Sequence, residues 1–415
     1  MTIPQPVTNV PEIPRRSSDI GSLAGSAAKL LGSGVVSALA LTIVTSNRWN
    51  LLDPGVGVTL VLFLQWQILG LTLTKMGIDQ IIFAAVTENP RQRPTARAHM
   101  LRRALPLGVL FSVLVAVVFG PWYGLACLCS LVLDTHAILL LADLNARERY
   151  TEVMFASLLN YPLFFLLVFG LQAAWRPVTT GIVLVLFVLT SVTRWVWLTF
   201  HRSAPSTFQI ISYQGTALTG AVPLLNFLMF RVDQVLLGTT FVTTLVATVR
   251  SDFARQLLFL GRYQEVLAGG LAMLTGLVYP RLYIKYPFTV RTLLTTAARR
   301  WWVVGAYILA VGGSLAAYSL LWRGSPLLPI LLASGALSAL LILPANVLTY
   351  SMIRQDHVRG LVRSLAVVVA AGLGTIAVSY LFAAPMIFVV AVPLQLAAFV
   401  LLALSRHWTR QARPA

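Results

Sequence analysis

Acidic side chains are scarce in this chain: 13 Asp and Glu in 415 residues, with charged residues of both signs only 11% of the total. A water-facing surface needs roughly a quarter of its residues charged, so an ordinary soluble enzyme of this length is excluded. Cysteine is nearly absent. The two present, Cys127 and Cys129, sit inside one apolar run, too close to staple anything and without the second pair a zinc site requires. They read as packing residues. No H-E-x-x-H, no Walker loop with G-K-[ST] and no G-x-S-x-G occurs anywhere, which excludes ATP hydrolysis on this chain and the metal-protease and serine-hydrolase signatures.

Hydrophobic residues make up 58% of the sequence and the mean hydropathy is +0.81. A helix needs about 20 mainly apolar residues to cross about 30 Å of hydrocarbon. Twelve such stretches occur, approximately Ser22 to Thr45, Gly55 to Ile78, Ala104 to Gly120, Trp122 to Leu144, Met154 to Ala174, Thr179 to Phe200, Ile210 to Leu237, Leu245 to Tyr279, Trp301 to Trp322, Pro326 to Leu348, Leu361 to Leu381 and Met386 to Leu404. The expected fold is therefore an all-α polytopic membrane protein. Short, almost uncharged turns such as Asp53-Pro54-Gly55, Gly120-Pro121 and Ala384-Pro385 alternate with long basic loops.

The net charge is +18, from 31 Lys and Arg. In a soluble protein this would point to a nucleic-acid partner; here the placement argues for a membrane and against nucleic acid. On the twelve-span map, 21 basic residues fall on the amino-terminal side and only Arg48, Arg176 and Arg323 on the other. Cytoplasmic loops carry the excess of Lys and Arg, so both termini are expected in the cytoplasm of a bacterial inner membrane. Residues 1 to 21 read as a cytoplasmic tail, with no compact apolar region or A-x-A cleavage site. Residues 406 to 415 read as a second one.

Seven bases remain within the spans: Lys29, Lys75, Arg194, Arg231, Arg250, Arg255 and Arg262. A base at mid-span costs about 2.5 to 3.5 kcal/mol on insertion scales, so such residues face a wet path or a partner. Lys29 and Arg194 lie near cytoplasmic ends, where they either snorkel to headgroups or line a cavity. Lys75 and Asp79, spaced i,i+4, share a helix face and can pair. Arg231 and Asp233 are two apart and cannot face each other. In the eighth span Asp252, Arg255, Arg262 and Glu265 fall within an arc of about 140°, one polar stripe; alternatively residues 243 to 264 form an amphipathic surface segment. A surplus of arginine suits an anion, because the planar guanidinium binds phosphate oxygens bidentately. In the fourth span Asp134 and His136 either relay a proton or cation or make polar contacts between helices. Neither a cofactor nor a metal is expected, beyond coupling to H+ or Na+.

Several segments resemble the polysaccharide flippases of the multidrug/oligosaccharidyl-lipid/polysaccharide exporter superfamily. They are Arg48 with Leu52-Asp53-Pro54-Gly55-Val56-Gly57, then Met76-Gly77-Ile78-Asp79, Asp233-Gln234-Val235-Leu236-Leu237-Gly238, and Pro280-Arg281-Leu282. The motif resemblance covers residues 45 to 85 and 215 to 283; the glycine-x-tyrosine that usually opens the eighth span is missing. Resemblance implies a MATE-like fold of two six-helix lobes, residues 22 to 202 and 203 to 405, related by a parallel repeat. It implies a non-enzymatic flippase moving an undecaprenyl-diphosphate-linked glycan to the outer leaflet, with surface-polysaccharide polymerase and export machinery as partners. Arg231, Arg255 and Arg262, assisted by Arg250, Lys75 and Lys29, would then hold the diphosphate, with Asp79, Asp233, Asp252 and Glu265 as charge partners. Asp134 and His136 are the candidates for ion coupling. The alternative within the superfamily is a cation-coupled drug exporter, which should have an acidic cavity. A membrane-embedded glycan polymerase or ligase should have large polar outer loops, and these are short.

Overall fold

The computed structural model describes residues 54–79, 100–174, 178–201, 220–229, 301–321, 328–354, 358–382 and 386–411, together with isolated positions elsewhere. Within these the chain is helical, apart from a two-residue parallel ladder that pairs Pro94–Thr95 (β1) with Gln209–Ile210 (β2).

The first half of the chain supplies α1 (Pro54–Lys75), α2 (Leu105–Phe119), α3 (Pro121–Ala146), α4 (Tyr150–Leu158), α5 (Tyr161–Ala174) and α6 (Thr180–His201). Proline places two of these starts: Pro54 and Pro121 open α1 and α3, where the ring's fixed φ suits a helix and the missing N–H is no loss. Gly120 separates α2 from α3 at φ 106, a conformation only glycine adopts freely, and its N–H still bonds the Ala116 carbonyl. Helix α1 ends on a left-handed pair, Met76 at φ 47 and Gly77 at φ 72. The stretch from 154 to 174, which hydropathy reads as one span, begins at Tyr150 and is broken at Leu159 and Asn160. The reason is Pro162, which cannot donate to the carbonyl of Leu158.

The second half supplies α7 (Trp301–Leu321), α8 (Leu328–Arg354), α9 (Val358–Leu381) and α10 (Met386–Gln411). Helices α8 and α10 run past the apolar stretches into basic sequence, because hydropathy ends at the membrane surface while helix propensity does not. Both contain an internal proline, Pro344 and Pro393. Pro393 has no N–H for the Val389 carbonyl four residues back. The hydroxyl of Ser334 on α8 donates to that carbonyl instead, so the polar group freed inside an apolar bundle is satisfied from the neighbouring helix.

Helix α3 is the centre of the first half, packed on α1, α2 and α6. Its core contains Leu60, Phe63, Phe111, Leu131, Phe164 and Phe187, with Phe63 and Phe187 edge-to-face at 5.6 Å. Small residues bring backbones together, as in membrane bundles generally: a β-carbon on Gly124 would stand 2.9 Å from the Ser112 carbonyl oxygen. The second half packs α8, α9 and α10 around Leu361, Leu365, Leu396 and Phe399. The helical segment Gly220–Met229 touches both cores, with Phe227 in the first and Val222 and Met229 in the second.

Six segments among the described residues are long and apolar enough to cross a membrane: Arg102–Phe119, Pro121–Ala146, Tyr150–Ala174, Thr180–His201, Leu328–Asn346 and Val358–Ser379. Their outer faces are apolar, with Leu110 70%, Val117 79% and Val185 67% exposed. A surface of that kind faces lipid.

Candidate functional site

The buried polar groups of the first half converge at mid-helix on α1, α3 and α6. Gln67 and Thr74 are seven apart and so share a face of α1; Ser191 and Arg194, three apart, share a face of α6. Between them lies Asp134 of α3, 3% exposed. Its Oδ2 accepts from Gln67 Nε2 at 3.2 Å and from Ser191 Oγ at 3.1 Å. The Arg194 Nη1 stands 3.6 Å from Oδ1, an ion pair without a close hydrogen bond. Two turns along α1 from Gln67, the Thr74 hydroxyl meets that of Thr135, the neighbour of Asp134, at 2.7 Å. The cluster is not fully satisfied: Asp134 Oδ1, Gln67 Oε1 and Arg194 Nε make no hydrogen bond among the described residues. Unsatisfied polar atoms in a dry helix bundle are costly, so this is a place where a proton, an ion or a second arrangement of the same side chains can be accommodated.

Asp134 and His136 take separate partners, as their spacing requires. His136 Nδ1 accepts the indole N–H of Trp195 at 2.8 Å. Indole nitrogen can only donate, so the imidazole nitrogen is the acceptor in this contact. Both residues thus make polar contacts between helices. Arg194 does not snorkel. It is buried at 8% exposure, with its guanidinium beside the Asp134 carboxylate.

Lys75 and Asp79 form the expected pair, Nζ to Oδ2 at 2.9 Å, and the bond spans the left-handed break at Met76 and Gly77. Lys29 is exposed and donates to Thr151 Oγ1 at 2.9 Å. Arg231, Asp233, Arg250, Asp252, Arg255, Arg262 and Glu265 lie outside the described residues. Cys127 is buried and Cys129 half-buried, both as free thiols. No group of three or more His, Cys, Asp or Glu side chains suited to a metal ion occurs among the described residues.

Sequence reasoning missed Gln67, Ser191 and Arg194 as the partners of Asp134. The signal was present only as a polar interruption, Thr190-Ser191 and Arg194, in an otherwise apolar span. Nothing in it names Asp134.

No protein-family model matches the sequence, and no curated protein matches it. Solved structures similar in fold include the following two. One, described as a crystal structure of MATE in complex with MaL6, aligns with a TM-score of 0.57 at 11% identity over 94% of this chain and 98% of its own. The other, described as protein A, aligns with a TM-score of 0.61 at 11% identity over 95% of this chain and 96% of its own.

Proposed function

We propose that this chain, an all-helical multi-pass membrane protein with a MATE-like exporter fold, is a flippase. It carries a polyprenyl-diphosphate-linked oligosaccharide from the cytoplasmic to the outer leaflet of a bacterial inner membrane, for surface polysaccharide assembly. The observation that supports this reading is where intramembrane charge is left over. In the first half the intramembrane charges pair with one another, the buried Arg194 with Asp134 and the partly exposed Lys75 with Asp79. Residues 231 to 265 then hold four arginines against three carboxylates. A path whose net charge is positive suits an anion, and arginine forks suit the oxygens of a diphosphate. Binding the headgroup in a polar path while the prenyl tail stays in lipid leaves the apolar outer faces of the helices in their normal solvent.

In this reading Arg231, Arg255 and Arg262 neutralise the diphosphate, and Asp233 and Asp252 hold them when the site is empty. Complementation of a flippase-null strain tests it. Single Arg→Ala variants lose most of the surface polysaccharide, and the triple variant loses all of it. Full activity of the triple variant, expressed at the wild-type level, overturns the reading.

A second reading is favoured by a different observation. Asp134, buried on α3 and tied to α1 and α6, is the kind of carboxylate that couples a proton or Na+ to export of a small molecule. Efflux of cationic dyes from cells expressing the protein, with no effect on surface glycan, selects this reading over the first. Under either reading, transport that is indifferent to ionophores removes Asp134 and His136 from a coupling role.

A further inference from the structure

The arginine-rich end of the first half carries a cluster of which the transport reasoning uses only Lys29. Lys29 meets the start of α4 there, beside the end of α6. Lys29 is exposed and spends one of its three donors on the Thr151 hydroxyl, at 2.9 Å. Arg149 donates to the backbone carbonyl of His201 at 3.0 Å and pairs with Glu152 at 2.7 Å. Glu152 is thereby occupied, and among the described residues no carboxylate pairs with Lys29. The imidazole of His201 lies stacked on the Trp197 indole, with centroids 4.0 Å apart and planes 18° apart. Phe155 borders Trp197 at 6.2 Å. Phe155 and Phe200 turn outward, 48% and 83% exposed.

We propose that this corner binds the headgroup of an acidic phospholipid of the phosphatidylglycerol type. Depth is the first argument. Helix α4 starts at Tyr150 and α6 ends at His201, so the cluster sits where apolar spans give way to basic loops, the level of lipid phosphates. Aromatic rings with a polar tip collect at that level. Charge is the second. Lys29 contributes a cation that no carboxylate pairs with among the described residues. A headgroup with a net negative charge gains from this, whereas a choline headgroup would bring its own cation toward the ammonium. Shape is the third. The phosphate has donors to meet in the Lys29 ammonium and the Thr151 hydroxyl, while the exposed faces of Phe155 and Phe200 cover the upper part of the acyl chains. Lys29 is shared with the diphosphate set that the family resemblance implies, and lipid retention is read without transport.

Native mass spectrometry of the purified full-length protein tests it, after exchange into detergent with phosphatidylglycerol or phosphatidylcholine at equal concentration. The wild type retains phosphatidylglycerol in preference. Lys29→Gln lowers that retention about fivefold, the effect of one basic residue near a charged lipid surface, and leaves phosphatidylcholine unchanged. Lys29→Arg restores it, and added salt weakens it. Equal retention of the two lipids by the wild type overturns the proposal, as does an unchanged preference in Lys29→Gln. Circular dichroism of each variant confirms that a loss of lipid is not a loss of fold. Should Lys29→Gln misfold, Thr151→Val is the second variant, expected to lower phosphatidylglycerol retention in the same direction; no change there overturns the site.

Discussion

Arg194 on α6 and Asp134 on α3 face each other at 3.6 Å inside the helix bundle, 8% and 3% exposed. Removing one partner of a buried pair strands the other, which typically costs about 3 to 5 kcal/mol, whereas replacing both with apolar residues is often neutral. Arg194→Met and Asp134→Leu are each expected to be strongly destabilising. The double variant is expected to recover most of the loss. Thermal unfolding in a single detergent, arranged as a double-mutant cycle, measures the coupling; strictly additive losses would show that the two charges do not interact.

Lys75 and Asp79 make a shorter contact, 2.9 Å, yet it is worth less, because the side chains are 21% and 18% exposed and the pair is local. Partly exposed ion pairs contribute about 0 to 1 kcal/mol. Lys75→Gln should therefore leave the melting temperature nearly unchanged. Transport measured on the same variant separates two roles. A loss of tenfold or more at unchanged stability places Lys75 on the transport path; unchanged transport leaves it as the clip across the Met76–Gly77 break.

Gly220 opens the helical segment that touches both cores, and it rests directly on the end of α1. A β-carbon there would stand 2.7 Å from the Met76 carbonyl oxygen and 2.9 Å from its carbon. Backbone cannot yield as a flexible side chain does. Gly220→Ala is expected to cost about 1 to 3 kcal/mol, the usual penalty of overpacking, and Gly220→Val more. By contrast, Gly170 on α5 has open space around it, so Gly170→Ala should be neutral or slightly stabilising. Melting temperatures of the three variants decide the matter.

Ser334 compensates for Pro393. Ser334→Ala leaves the Val389 carbonyl without a donor, at a cost of about 1 to 3 kcal/mol for an unsatisfied buried group. Adding Pro393→Ala supplies the missing backbone N–H, and the double variant should be more stable than Ser334→Ala alone. If the second substitution brings no recovery, the hydroxyl is not what satisfies that carbonyl.

The candidate site was legible only in part. That Asp134 and His136 are intramembrane polar groups, and that Lys75 and Asp79 can meet, followed from hydropathy and from a four-residue spacing. The partners of Asp134 did not follow. Gln67 and Ser191 are 67 and 57 positions away, and any of the polar residues scattered through the spans satisfied the same one-dimensional criteria. The broken fifth span shows the same limit from the other side: a stretch apolar enough for one helix says nothing about where a proline interrupts its hydrogen bonds.

The amino-acid sequence by itself determined that this chain lives in a membrane as a set of helices, because 58% hydrophobic residues arranged in spans about 20 long leave no soluble alternative. It also determined which charges are too costly to sit in lipid. Only the tertiary structure decided which of those charges cancel, which glycine admits a neighbouring backbone, and which hydroxyl serves an orphaned carbonyl. Insertion into lipid depends on the sum of a local stretch, whereas satisfying a buried polar atom depends on which other helix stands within about 3 Å of it.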